Sequence, residues 1–211
     1  MDDDPYVYPG TRVLKNLLGI HDAQELSNVE YDLTWMRRQQ LELNPIQGDF
    51  DLQHLQAIHH HLFQDLFAWA GQLRTVVISK GSSVFYASDD FATAGAYTFN
   101  YLREASLLSP GNMSDDVYVE GMAEFISRLN YLHPFREGNG RANRAFIDQV
   151  AALSGRTMSW RNVGKDENLR ASIRSVNEGT GEAFVPMLRL VIAPPLDGLS
   201  PFDGTAVPVS S

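Results

Sequence analysis

Apolar residues recur along this chain at spacings of three and four. From Asp51 to Ala68, Leu52, Leu55, Ile58, Leu62, Phe63 and Leu66 fall on one helical face, with Asp49 or Asp51 placed to cap it. A second face runs through Val117, Tyr118, Met122, Phe125, Ile126, Leu129 and Leu132, behind the breaker Pro110-Gly111-Asn112 and with Ser114 or Asp115 as its N-cap. The same periodicity predicts helices over about 22–43, 89–107, 140–154, 165–177 and 182–193. It breaks at Arg74-Thr75-Val76-Val77-Ile78-Ser79, which is rich in β-branched residues; Lys80-Gly81-Ser82 reads as a turn, and Val84-Phe85-Tyr86 is apolar again. The prediction is a mainly α domain over 1–194 with one short β-hairpin at 74–86. After Ala193, Pro194, Pro195, Pro201 and Pro208 with Gly198 and Gly204 end the helical pattern and make 195–211 a linker or tail that builds no core.

Composition narrows the function classes. The 211 residues are 44% hydrophobic and 20% charged, the balance of a globular chain with one substantial core. A net charge of −9 argues against broad binding to nucleic acid or to an anionic membrane, because both need a basic face. Without cysteine there are no disulfides, thiolate metal sites or cysteine nucleophiles. The start, Met1-Asp2-Asp3-Asp4-Pro5, lacks the basic and apolar regions of a secretory signal, so the expected location is cytoplasmic.

The chemistry concentrates in His133-Pro134-Phe135-Arg136-Glu137-Gly138-Asn139-Gly140-Arg141-Ala142-Asn143-Arg144, between two predicted helices. Pro134 disfavours the α conformation at His133 and stops the preceding helix, placing the imidazole at a helix end that faces a cleft. Gly138 and Gly140 allow positive φ and close backbone approach, and the free amides of the helix that starts there favour an anion. Arg141 and Arg144, three apart, share a helical face, and Glu137 supplies a carboxylate. A nucleoside triphosphate with Mg2+ needs such parts: one or two carboxylates for the metal, arginine forks for the phosphates, and a histidine to take a proton from a hydroxyl nucleophile. A Gly-Asn-Gly alone would read as an ordinary interhelical turn.

The whole string resembles the Fic family motif HxFx(D/E)GNGRxxR and matches it at every specified position. Tyr6-Val7-Tyr8-Pro9-Gly10-Thr11, Leu14-Lys15-Asn16 and the block from Ile58 to Arg74 are also similar to bacterial Fic toxins and secreted effectors, so the likeness spans residues 6 to about 193. The resemblance implies a Fic-type helical bundle with a hairpin flap over the site, and transfer of AMP from Mg-ATP to a hydroxyl side chain of a target protein. In that reading His133 is the general base and Glu137 the Mg2+ ligand. Gly138, Asn139, Gly140 and Arg141 form the hole for the α- and β-phosphates, Arg144 meets the γ-phosphate, and Lys80 and Gly81 close over the nucleotide. The target would lie along the flap, 74–86, by strand addition. Relatives that phosphorylate or transfer phosphocholine, and a non-catalytic nucleotide-binding module, remain as alternatives. Many family members are inhibited through a (S/T)xxxE(G/N) helix, but here Glu178-Gly179 follows Arg174 and Glu120-Gly121 follows Asp116, so no such motif is present. A small antitoxin-like protein supplying the glutamate in trans is therefore expected, with the host cytoplasm as the location if the chain is a delivered effector.

Other clusters carry less. Adjacent residues of His59-His60-His61 point about 100° apart on a helix and cannot share a metal, which leaves them as core or surface residues. Phe63, Phe67 and Trp69 are expected in the core; Asp2-Asp3-Asp4 read as a solvated terminus and Asp115-Asp116 as a helix start.

Overall fold

The computed structural model of the chain describes residues 4–80, 83–87, 90–109, 111 and 113–193. Among them the helices are α1 (Ala23–Leu43), α2 (Leu52–Phe63), α3 (Phe91–Glu104), α4 (Asp115–Leu132), α5 (Asn139–Leu153), α6 (Lys165–Glu178) and α7 (Val185–Val191). The two small antiparallel sheets pair β1 (Ser79–Lys80) with β2 (Ser83–Val84), and β3 (Thr157–Met158) with β4 (Ile192–Ala193). The fold is mainly helical, as its sequence pattern predicts.

Local chemistry sets the boundaries. Asp51 caps α2 by accepting from the His54 amide at 2.8 Å, and Ser114 caps α4 on Val117, with Asp115 and Asp116 favouring that N-terminus as carboxylates do. Central α4 packs on α3, α5, α6 and α7, while α2 lies against α1, α3 and α5. Phe99, Phe125 and Phe146 join α3, α4 and α5 through ring contacts of 5.4–6.0 Å.

Three expectations are corrected. The apolar spacing from Leu52 continues to Leu66, but α2 ends at Phe63; turns then carry Leu66, Phe67 and Trp69 into the core, so the periodicity outlasts the helix. The segment at 182–193 divides into a 3₁₀ turn at Glu182–Phe184, α7, and β4, because Ile192 and Ala193 find β3 as a partner. The hairpin at 74–86 is real but its paired strands are two residues each; Phe85 extends the pairing by donating to the Ile78 carbonyl at 3.2 Å, and the Tyr86 amide donates to Tyr131 instead. Residues 195–211 lie outside the described residues.

Candidate active site

The α4 helix stops at Leu132, and His133 takes a left-handed conformation with φ 42° and ψ 59°. The following proline works against a right-handed turn there, and a positive φ at a residue with a side chain costs ~1–3 kcal/mol. The surroundings hold it. The His133 amide donates to Leu129 at 3.2 Å, its carbonyl accepts from Arg74 Nε at 2.8 Å, and its ring stacks on Phe85 of the flap at 3.9 Å.

The next turn is closed by a side chain. Asn139 is buried and bridges back to Phe135, accepting from its amide at 2.9 Å and donating to its carbonyl at 2.7 Å. Its amide group thus shapes the loop. Gly138, with φ 80°, caps α5, and a Cβ there would meet the Phe63 ring at 2.3 Å, so both conformation and space require glycine. The amides of Asn139 and Gly140, in the first turn of α5, have no acceptor within the helix and are suited to an anion.

Charged side chains surround this helix start. Glu137 is half exposed and accepts from the Gly138 amide at 2.9 Å, with Arg141 at 3.8 Å. Arg141 makes its closer pair with Glu30 of α1, and its guanidinium lies 4.7 Å from the Phe63 ring centre. Among the described residues Arg144 makes no hydrogen bond or ion pair. Burial lowers its pKa, the positive charges of Arg38 and Arg141 lower it further, and Asp148 opposes. Asp148, which accepts from Arg38 and Trp160 at 2.6 Å each, is itself pushed up to about 6 by burial, against the pull of Arg38.

A cavity of about 330 Å³ is lined by His133, Glu137, Asn139, Gly140 and Asn143 on one side, Ile78, Ser79 and Phe85 of the flap on another, and α6 on the third. A smaller cavity of about 50 Å³ shares Gly140 and Asn143 with it and reaches Arg144. Asn143 Oδ1 is buried without a hydrogen-bond partner and lies at this junction, where a ligand hydroxyl or amino group would satisfy it. Gly138 and Arg141 stand behind the lining. Lys80 contributes backbone to β1, and Gly81 lies outside the described residues. No described cluster of three or more His, Asp or Glu could hold a metal. A single exposed carboxylate does fit Mg2+ that takes its remaining ligands from phosphate and water.

Sequence reasoning missed the supports of this loop. His59 is fully buried, its Nδ1 accepting from the Gly71 amide at 2.8 Å. Its other nitrogen therefore carries the proton and donates to the Glu137 carbonyl at 3.0 Å, while the ring stacks on Phe135 at 3.8 Å. Burial lowers its pKa to about 4, keeping it neutral. A detectable signal existed: His59 interrupts the apolar stripe between Leu55 and Leu62, and a polar residue there must be buried. Asp4, expected as a solvated terminus, instead accepts from Arg136 at 2.7 Å.

The Fic/DOC family model matches residues 49–151, from before α2 to near the end of α5. The chain is 40% identical over 160 residues to the probable protein adenylyltransferase Fic of Salmonella typhimurium, covering 76% of this chain and 78% of that one. It is 39% identical to the protein adenylyltransferase VbhT of Bartonella schoenbuchensis over 82% of this chain and 36% of that longer one. In fold it is similar to the Bartonella tribocorum effector BepC solved with AMPPNP, with a TM-score of 0.84, 24% identity, and coverage of 92% of this chain and 98% of that one. The sequence identity extends over most of both chains in the Salmonella comparison, and the family model spans the motif loop: the chain belongs to the Fic/DOC family.

Proposed function

We propose that the chain is a protein adenylyltransferase, with residues 1–194 forming its Fic domain. The observation that carries this reading is the convergence, on two adjoining cavities that share Gly140 and Asn143, of an imidazole, a helix start with free amides and a desolvated arginine. His133 takes the proton of a target hydroxyl as its oxygen attacks the α-phosphorus of ATP. The bond from that phosphorus to the β-bridging oxygen breaks, AMP stays on the target, and pyrophosphate leaves. The α5 amides, at Asn139 and Gly140, face the phosphate charge; Arg144 orients the terminal phosphate, and Arg141 assists once it releases Glu30. Glu137 would hold Mg2+, which when bound neutralises phosphate charge and steadies the pyrophosphate leaving group.

ATP labelled at the α- or the γ-phosphate separates this reaction from its alternatives when the chain is incubated with a lysate. Transfer of the α-label alone is expected, with the modified residue located by mass spectrometry. Transfer of the γ-label would make the chain a phosphotransferase. No label from either would leave a transferase of another group, such as phosphocholine, or a binding module. Full activity without divalent metal would remove Glu137 from its role.

The target docks along the flap, where Val77 is exposed, by adding a strand. A small protein supplies an inhibitory carboxylate to Arg144 in trans. It docks on α1, which carries exposed Tyr31, Trp35 and Met36 and runs beside both motif arginines through Glu30 and Arg38. No described helix is long and apolar enough to cross a membrane, and the reading places the chain in a bacterial cytoplasm, or in a host's if it is delivered as an effector. Co-expression tests the inhibitor: the chain alone should be active, and one glutamate of a small partner should silence it.

A further inference from the structure

Arg74 stands where the chain leaves the turns after α2 and enters the flap. It is only 5% exposed, and burial lowers its pKa. No carboxylate pairs with it among the described residues. Instead its fork meets three backbone carbonyls: Nε donates to His133 at 2.8 Å, Nη1 to Val76 at 2.6 Å, and Nη2 to Tyr86. The guanidinium lies over the Phe91 ring at 5.1 Å, and the Arg74 amide donates to Pro134 at 2.9 Å. Val76 precedes β1 and Tyr86 follows β2, so one plane joins both legs of the flap to the carbonyl of the residue forced into a left-handed conformation. A buried cation solvated by carbonyls alone is a costly way to pack a loop. A neutral side chain could fill the space, but it could not present three donors in one rigid plane.

We infer that Arg74 is a positioning residue that makes the flap and His133 one mechanical unit, so that a target strand held on the flap arrives in register with the base. The inference rests on the proposed adenylyl transfer and deepens it. Arg74 holds the His133 backbone from behind while Phe85, just before Tyr86, holds the imidazole from the flap side. Phosphate recognition depends on the α5 start, which Arg74 does not touch.

The test compares Arg74→Lys and Arg74→Gln in the full chain, reading AMP transfer, affinity for a non-hydrolysable ATP analogue, and hydrogen exchange at the Phe85 and Tyr86 amides. Lysine keeps the charge but loses the fork, so both variants should lose kcat by about 100-fold, the scale of a small misplacement of reacting groups. Analogue affinity should change by less than about twofold, because the interaction acts on the transition state. Both amides should exchange faster in each variant. Wild-type kcat in Arg74→Lys, or an affinity loss equal to the kcat loss, would overturn the inference. If both variants unfold, Phe91→Leu removes the ring against the guanidinium and its edge contact with Tyr86 while keeping an apolar side chain, and should lower kcat several-fold with affinity intact; unchanged kcat there counts against it. Should the wild-type chain transfer no AMP, adenylyl transfer fails as a reading, and the exchange measurement still decides whether Arg74 ties the flap to His133.

Discussion

The two sides of the motif loop are built on different principles. Its front, from His133 to Arg144, faces two adjoining cavities with a ring, a half-exposed carboxylate, two helix amides and a desolvated guanidinium. Its back consists of Phe63, His59 and Arg74, which line neither of these two cavities and hold the loop by stacking and by hydrogen bonds to its carbonyls. Front residues are tied to one another over a dozen positions, whereas back residues reach across 59 to 78 positions to find their partners. A front substitution should therefore change chemistry with the fold intact, and a back substitution should change geometry first.

The largest expected effect lies at the front. His133→Ala should lower the AMP-transfer kcat by ~10²–10⁴-fold while ATP affinity stays near that of the wild type, since a general base acts in the transition state. Calorimetry with the ATP analogue, alongside transfer kinetics, checks this. Undiminished transfer by the folded variant would take the base assignment from His133.

Gly138→Ala breaks the separation, because this residue sits on the seam. Its new Cβ would be driven into Phe63 at 2.3 Å with φ at 80°, so the back must move before the front can form. A loss of ~1–3 kcal/mol in stability is expected from strain and overpacking, together with weaker nucleotide binding. Urea unfolding measures the first and calorimetry the second. An unaltered stability would mean that Phe63 yields freely, and that the two sides are less tightly joined than the contact implies.

This contrast also explains what was legible in the sequence. The helices could be read because each buries one face, so Leu55, Ile58 and Leu62 or Met122, Phe125 and Leu129 announce themselves at fixed spacing. The candidate site could be proposed from the sequence because its parts are consecutive and resemble a family motif. The supports could not, since nothing near Arg74 in sequence tells which carbonyls it will meet, and His59 looks like one of three equivalent histidines until Gly71 and Glu137 are seen on either side of it. Glu30 illustrates the same limit. It lies on an ordinary-looking amphipathic helix, yet it takes Arg141 by an ion pair across 111 positions.

That ion pair gives the third prediction, a smaller one. In the structure Arg141 is held toward Glu30 and Phe63, away from the cavity lining, so under the proposed reading phosphate would compete with the pair. A partly exposed ion pair contributes up to ~1 kcal/mol, so Glu30→Gln should lower the KM for ATP by no more than about fivefold and leave kcat nearly unchanged. A raised KM would mean that Glu30 steadies Arg141 for the phosphates rather than restraining it.

The smallest net effect, in the wild type, comes from two shifts that oppose one another. His59, behind the loop, is held neutral with a pKa of about 4, against an ordinary 6.5, whereas Asp148, toward the far end of α5, is raised to about 6 from 3.8. As pH falls from 6.5 to 4, the unfolded chain protonates its His59 before the folded protein can, which removes about 3 kcal/mol of stability at roughly 1.4 kcal/mol per pH step. Over nearly the same window the folded protein protonates Asp148 first, which returns a similar amount. Together the two should nearly cancel in the wild type. Substitution exposes each: His59→Gln should lose stability less steeply than the wild type on acidification, and Asp148→Asn more steeply. Groups common to all three proteins, such as Asp65, whose hydrogen bond with Arg37 holds it low, drop out of the differences. Urea midpoints taken at neutral pH and near pH ~4.5 provide the comparison, and parallel profiles in the three proteins would show that neither group titrates differently on folding.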